Sequence, residues 1–281
     1  MITFLLSALA PVLWGTTYWV TTEFLPPDRP ILSAALRVLP AGLVFVFAGR
    51  WVPGAAWWGK VLVLGLANFG LFFALLFVAA YRLPGGVGST IGGLGPLVFA
   101  LLAWALLHLR PRGGTVLAGL AGLLGVALMV LGPGVRIDPW GVGAAASAVA
   151  LMSLGGVLSR RWARPASMTG YVGWQLVLSG VFLAVAGWWV EGPLPTLTPT
   201  NLCAFGYLSF VATGLAYALW FRGIEKLGVS ASFLMLLAPL VAAGLGYFAL
   251  GQAFSWVQAG GMVVVLASVA AGATLSLRTE R

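Results

Sequence analysis

RVLPAGLVFVFAG (37–49) and QLVLSGVFLAVAG (175–187) are the two stretches whose likeness decides the architecture. They align without a gap at an offset of 138, and the same offset sets Leu13-Trp14-Gly15 against Leu151-Met152-Ser153. Further along, Ser89 to Pro96 aligns with Ser232 to Pro239 at an offset of 143, so about five residues were gained in between. Apolar segments resemble one another by composition alone, but offsets held over several segments point to an internal duplication.

Working outward, both stretches lie in apolar runs of bilayer length. Of the 281 residues, 61% are hydrophobic and 7% charged, and the mean hydropathy is +1.04. A soluble domain carries about 25% charged residues, so most of this surface faces lipid. A spanning helix needs about 20 mainly apolar residues. Windows between Pro, Gly and charge give Phe4–Thr22, Ile31–Gly49, Val61–Ala80, Leu83–Leu107 and Thr115–Leu131. The second set is Pro139–Ser159, Gly170–Val190, Leu202–Phe221, Leu227–Leu250 and Trp256–Leu277. The expected fold is all-α and integral to the membrane, with ten transmembrane helices in two five-helix repeats, residues 1–135 and 136–281. The run Ile2–Val20 lacks a basic segment before it and is too long for a signal-peptide core; it reads as the first span.

Charge orients the bundle. With the N-terminus inside, inner loops and tail hold Arg50, Lys60, Arg110, Arg112, Arg160, Arg161, Arg164, Arg222, Lys226, Arg278 and Arg281. The outer loops hold Arg29, Arg82 and Arg136. Lys and Arg favour the cytoplasmic side, so both termini are expected in the cytoplasm, with the chain in the cell (inner) membrane. Five is odd, so the second repeat crosses in the opposite sense. Inverted repeats of this kind are a transporter signature, with substrate bound near the bilayer midplane.

The stretch Ala10-Pro-Val-Leu-Trp-Gly-Thr-Thr17, followed by Ala35-Leu-Arg37, resembles the EamA group of the drug/metabolite transporter superfamily. So does Tyr81 to Pro96, echoed by Glu225-Lys-Leu-Gly-Val-Ser-Ala-Ser to Pro239. Within that group the chain is similar to the YddG-type exporters of aromatic and other neutral amino acids. The resemblance implies export of neutral amino acids and related metabolites by alternating access. A departure is the Gly-Glu common after the fourth and ninth spans, where this chain reads His108-Leu109-Arg110 and Gly251-Gln252.

Residues at midplane depth give the candidate substrate site: Trp14, Thr17, Tyr18, Asn68, Gln175, Ser179, Thr213 and Tyr217. The i, i+4 pairs Trp14/Tyr18, Gln175/Ser179 and Thr213/Tyr217 each share a face of a regular helix. Interhelical hydrogen bonding alone also accounts for such residues, since polar groups in lipid must find partners. Arg37 is the one ionisable residue well inside a span. It either snorkels outward or faces a cavity and attracts a substrate carboxylate. Pro96 and Pro239 lie near the middles of their spans, where proline kinks a helix, and are the candidate hinges. The segment Gly85–Gly95 holds six glycines in eleven residues, which adds deformability.

All six acids fall at helix ends, in loops or in the tail. Proton-coupled pumps usually carry an intramembrane carboxylate, so facilitated export or exchange is expected. A single His108 and a single Cys203 supply no metal site, no disulfide and no catalytic cluster; neither an enzyme nor a cofactor is expected. The basic residues form no stripe suited to nucleic acid. Small-residue pairs Ala118/Gly122, Ala121/Gly125 and Ala267/Ala271 permit close helix contact, within the bundle in preference to a dimer seam. Other cargoes (a nucleoside, a sugar derivative, a drug) and a non-transport scaffold are the alternatives.

Overall fold

The computed structural model describes residues 2–110, 113–131, 138–162, 167–227, 234–235, 237–251 and 254–277. Arg112, Arg136, Arg164, Ser232, Gln252, Arg278, Glu280 and Arg281 lie outside the described residues. The described chain is helical, without strands. In order the helices are α1 (Ile2–Phe24), α2 (Pro30–Gly49), α3 (Ala55–Arg82), α4 (Gly85–Leu107) and α5 (Gly113–Leu131). Then come α6 (Pro139–Arg161), α7 (Met168–Glu191), α8 (Pro199–Gly223), α9 (Leu237–Leu250) and α10 (Trp256–Leu277). Among the described residues, α1 to α4 and α6 to α8 are the seven long and apolar enough to cross a bilayer.

Helix ends are fixed by local chemistry. Pro30 starts α2 in the first turn, where proline's preset φ suits it and its missing N–H is not needed. The exposed N–H groups of Ile31 and Leu32 donate to the two carboxylate oxygens of Glu191, at 2.7 and 2.9 Å. A carboxylate at a helix N-terminus also complements the dipole, so the end of α7 caps the start of α2. Arg50 closes α2 in the left-handed conformation, and His108 does the same after α4. At the start of α8, Thr198 and Asn201 form a reciprocal capping box, and Asn201 Nδ2 also donates to Phe24 O at 2.8 Å.

The core is the seam between α2 and α7. A Cβ built at Gly42, Gly49, Gly173, Gly180 or Gly187 meets the opposite helix within 2.3–2.8 Å. The partners are Leu176, Gly170, Val46, Leu39 and Leu32, so the residue numbers of each pair total 218 or 219. That constant total means the helices run antiparallel. Seven-residue glycine spacing keeps one face open, and backbones approach as they do in small-residue membrane contacts. Around this seam three packing pairs recur between helices five places apart in chain order. α3 lies on α6 as α8 lies on α1, α4 on α6 as α9 on α1, and α2 on α8 as α7 on α3. α5 packs on α10, where Gly122 faces Ser268 and Gly125 faces Gly261 O and Val265. Gly122 and Gly125 are thus engaged within the bundle.

Several helices are interrupted at depth. A turn at Thr16 divides α1, and a turn at Gly93–Leu94 divides α4. π-helical segments occupy Leu66–Gly70 in α3 and Tyr207–Leu215 in α8. The expectation of a continuous helix kinked at Pro96 is corrected: Pro96 falls in the first turn of the segment Gly95–Leu107. A proline there removes no ladder bond. Pro239 likewise sits in the first turn of α9, after a short 3₁₀ turn at 234–235.

Candidate substrate site

Arg37 sits in the third turn of α2 and is 1% exposed, so it does not snorkel. Its Nε donates to Thr213 Oγ1 at 3.0 Å, Nη1 to Thr17 Oγ1 at 3.2 Å and Nη2 to Ala212 O at 3.4 Å. The Phe73 ring lies 4.4 Å from the guanidinium carbon and that of Phe77 6.0 Å. These contacts join α2 to α1, α3 and α8. The one ion pair among the described residues is Arg82–Asp138, at the C-terminal end of α3. Arg37 therefore has no carboxylate partner there, although an uncompensated cation at this depth costs about 2.5–3.5 kcal/mol on insertion scales.

The π segment of α8 shapes this site. Widening the turn takes carbonyls off the regular ladder: Thr213 Oγ1 donates to Leu208 O at 2.8 Å, five residues back. Ala212 O accepts from Trp14 Nε1 at 3.0 Å as well as from Arg37. Trp14 then packs on Tyr217 and Trp220, with ring centroids 5.1 and 5.5 Å apart. Phe69 meets Tyr217 edge-on at 5.3 Å. The result is a cation walled by aromatic rings and hydroxyls.

A second polar cluster lies on α7. Gln175 Oε1 accepts from Asn68 Nδ2 at 3.1 Å, within the π segment of α3, and Gln175 Nε2 donates to Tyr171 O at 3.4 Å. Ser179, one turn on, faces Gly65 and Gly70, and its hydroxyl is buried without a hydrogen-bond partner. Gln175 and Ser179 share a face, as their spacing suggests. Trp14 and Tyr18 do not: the turn at Thr16 sends Trp14 toward α8 and Tyr18 toward α4. A Cβ at Gly88 would lie 2.5 Å from the Tyr18 ring, and one at Gly85 2.9 Å from Tyr18 Cβ. Part of the glycine run in α4 thus accommodates Tyr18, which stands apart from the Arg37 cluster.

Phe69, Phe73 and Phe77 are legible in the sequence as a stripe at four-residue spacing, yet spacing alone does not mark them as part of a site. Tyr81 continues the stripe. Its hydroxyl donates to Pro26 O at 2.7 Å and lies 3.5 Å from Ser33 Oγ. Beside it, Asp28, Pro30, Val78, Tyr81, Arg82 and Glu191 line a pocket of ≈ 260 Å³. Arg37 lies seven residues after Pro30, roughly 10 Å along the helix.

The sequence profile of the EamA-like transporter family matches residues 1–131 and again 139–271. The chain belongs to the EamA-like transporter family. This EamA chain is 41% identical to Protein PecM of Dickeya dadantii (strain 3937) over 276 residues, covering 97% of itself and 92% of that protein. It is 24% identical to the uncharacterized inner membrane transporter YedA of Escherichia coli (strain K12), covering 93% and 88%. A solved crystal structure shares the fold at a TM-score of 0.70, with 22% identity over 99% of both chains. Family and relatives indicate an EamA transporter and not an enzyme. Among the described residues no three His, Cys, Asp or Glu gather as metal ligands.

Proposed function

We propose that the chain exports neutral, including aromatic, amino acids and related metabolites across the inner membrane by alternating access, both termini being cytoplasmic. Two inverted five-helix repeats, giving ten spans, rock about a midplane site at Arg37. The observation that carries this reading is the α2–α7 seam. The residue numbers of its facing pairs add to 218 or 219 while the two helices align at an offset of 138. Both conditions meet between Pro40 and Ala41 on one helix and between Leu178 and Ser179 on the other. A twofold passing there, near the middle of both helices, lies across them and hence in the membrane plane. The five-step repetition of packing partners, the π segments in α3 and α8, and a family profile that matches in two blocks support the same symmetry.

Exchange of the two halves' conformations converts an outward-open into an inward-open state. Gly93–Leu94 in α4 and the turn before α9, each followed by Pro96 or Pro239, are the hinges. The substrate carboxylate meets Arg37, with Thr17 and Thr213 beside it; Trp14 and Tyr217 hold an apolar or aromatic side chain. Tyr18 supports the moving helix through α4, and Asn68, Gln175 and Ser179 form the opposite wall. No Asp or Glu is buried among the described residues, which supports facilitated export or exchange over proton coupling. Counterflow of labelled neutral amino acids in proteoliposomes tests this: flux above empty vesicles is expected, insensitive to an imposed pH gradient. Flux no greater than in empty vesicles across the panel defeats amino-acid export, and a steep, ionophore-abolished pH dependence defeats facilitation.

A further inference from the structure

We propose that the element recognised at Arg37 is a carboxylate on an uncharged apolar body, and that the ammonium group of an amino acid is dispensable to recognition. The inference rests on the reading of the Arg37 cluster as the substrate site. It widens that site's chemistry from amino acids to monocarboxylates, with zwitterions accepted as one subset.

The guanidinium presents five N–H donors, and three are used. The shortest bond holds Nε to Thr213, itself anchored on Leu208 O through the π segment. Nε is thereby oriented, while Nη1 and Nη2 make the two longer contacts, to Thr17 and Ala212 O. A carboxylate binding end-on needs that Nη1–Nη2 edge, which matches its two oxygens in bidentate geometry. Both present acceptors are neutral, so an anion replacing them is the better partner for a buried cation. Phe73 covers a face of the guanidinium and leaves its edge to define the approach.

Among the described residues an ammonium group finds no equivalent counter-charge. Glu23, Asp28, Asp138 and Glu191 are all at the outer helix ends, Glu191 engaged by Ile31 and Leu32 and Asp138 by Arg82. Glu225 follows Tyr217 by eight residues, roughly 12 Å along the helix. The groups nearest Arg37 are hydroxyls, a carbonyl and aromatic rings. A carboxylate alone satisfies such a surrounding; an amine alone adds a second positive charge beside Arg37.

Carboxylate exchange also unties helices. The contacts an anion displaces join α2 to Thr17, just past the turn in α1, and to the π segment of α8. Substrate therefore takes over bonds that hold α1, α2 and α8 together in this conformation.

The test is binding to the purified full chain of three probes that share a phenylethyl body and differ in the charged groups on it: 3-phenylpropanoate, phenylalanine and phenethylamine. Thermal shift and competition against a labelled carboxylate provide the readouts. 3-Phenylpropanoate is expected to bind at least as tightly as phenylalanine, and phenethylamine about a hundredfold more weakly, as for a site built to bond a missing group. In Arg37→Gln the ordering collapses. Arg37→Lys, which keeps the charge and loses the fork, retains the ordering with a smaller spread and carries the test if Arg37→Gln does not fold. Phenethylamine binding within about tenfold of 3-phenylpropanoate, an unchanged ordering in both variants, or no binding of any probe overturns the proposal. Arg37-dependent binding of 3-phenylpropanoate without phenylalanine counterflow defeats amino-acid export and leaves the carboxylate reading standing.

Discussion

Arg37 on α2 and Gln175 on α7 stand at matching points of two antiparallel helices, and their surroundings differ in one respect that matters. Each side chain reaches toward a π segment, Arg37 to Thr213 and Ala212 in α8, Gln175 to Asn68 in α3. Gln175 and Asn68 are neutral and satisfy one another. Arg37 is charged and is met only by neutral groups. Similar helix contacts thus carry different chemistry: the Arg37 cluster joins both halves of the chain around a charge, whereas the Gln175 cluster joins them through neutral amides.

The largest effect should separate these two clusters in transport. Arg37→Leu is expected to lower counterflow by about a hundredfold or more, since a polar site that loses its charged group rejects the substrate that needs it. Gln175→Leu in the same vesicles should retain flux within about tenfold, because its partner is a neutral amide. Equal losses would show that the clusters act as one site. Next comes the seam between α2 and α7. In Gly180→Leu the new Cβ would lie 2.7 Å from Leu39 Cβ, and overpacking costs about 1–3 kcal/mol or more, read as a lowered melting temperature.

Smaller effects sharpen the contrast. Asn68→Leu leaves Gln175 Oε1 without its donor, at about 1–3 kcal/mol, whereas Asn68→Leu with Gln175→Leu should recover most of that stability. Thr213→Val removes the acceptor of Nε and should cost about 1 kcal/mol in substrate affinity, visible in KM more than in kcat. Asp138→Asn should be the mildest. The Arg82 side chain holds the Asp138 carboxyl below the usual carboxylate range, and Trp140 N–H adds to this. A carboxyl depressed on folding contributes above its ordinary pKa and loses that contribution as pH falls through the depressed value. The wild-type melting temperature should thus gain nothing from this pair on raising pH through neutrality, and a titration across the acid range checks the loss.

Much of the fold was legible because apolar windows of bilayer length need no partner to be recognised. Spans two, six and seven follow the windows within a few residues. α3 begins six residues before the expected span, since Ala55–Lys60 continue the helix at its N-terminal end. Less of the site was legible. Spacing grouped Trp14 with Tyr18, but a turn at Thr16 separated them; it grouped Gln175 with Ser179, and an uninterrupted helix kept them together. The Phe69/Phe73/Phe77 stripe was visible in the letters and gained meaning only beside Arg37.

By itself the sequence determined the solvent, since a chain with 7% charged residues and long apolar runs must satisfy its backbone within helices. It also supplied the two alignment offsets, 138 and 143, which are a property of the letters alone. Tertiary structure decided what Arg37 does. Whether a cation six residues inside a helix snorkels or turns inward depends on which helices cross there. That crossing rests on glycine-lined contact between α2 and α7 and on a π segment that aims Thr213 and Ala212 O at the guanidinium. An extra residue in a helical turn rotates every later side chain of that helix by about 100°, a change no spacing rule foresees and one that helix packing fixes.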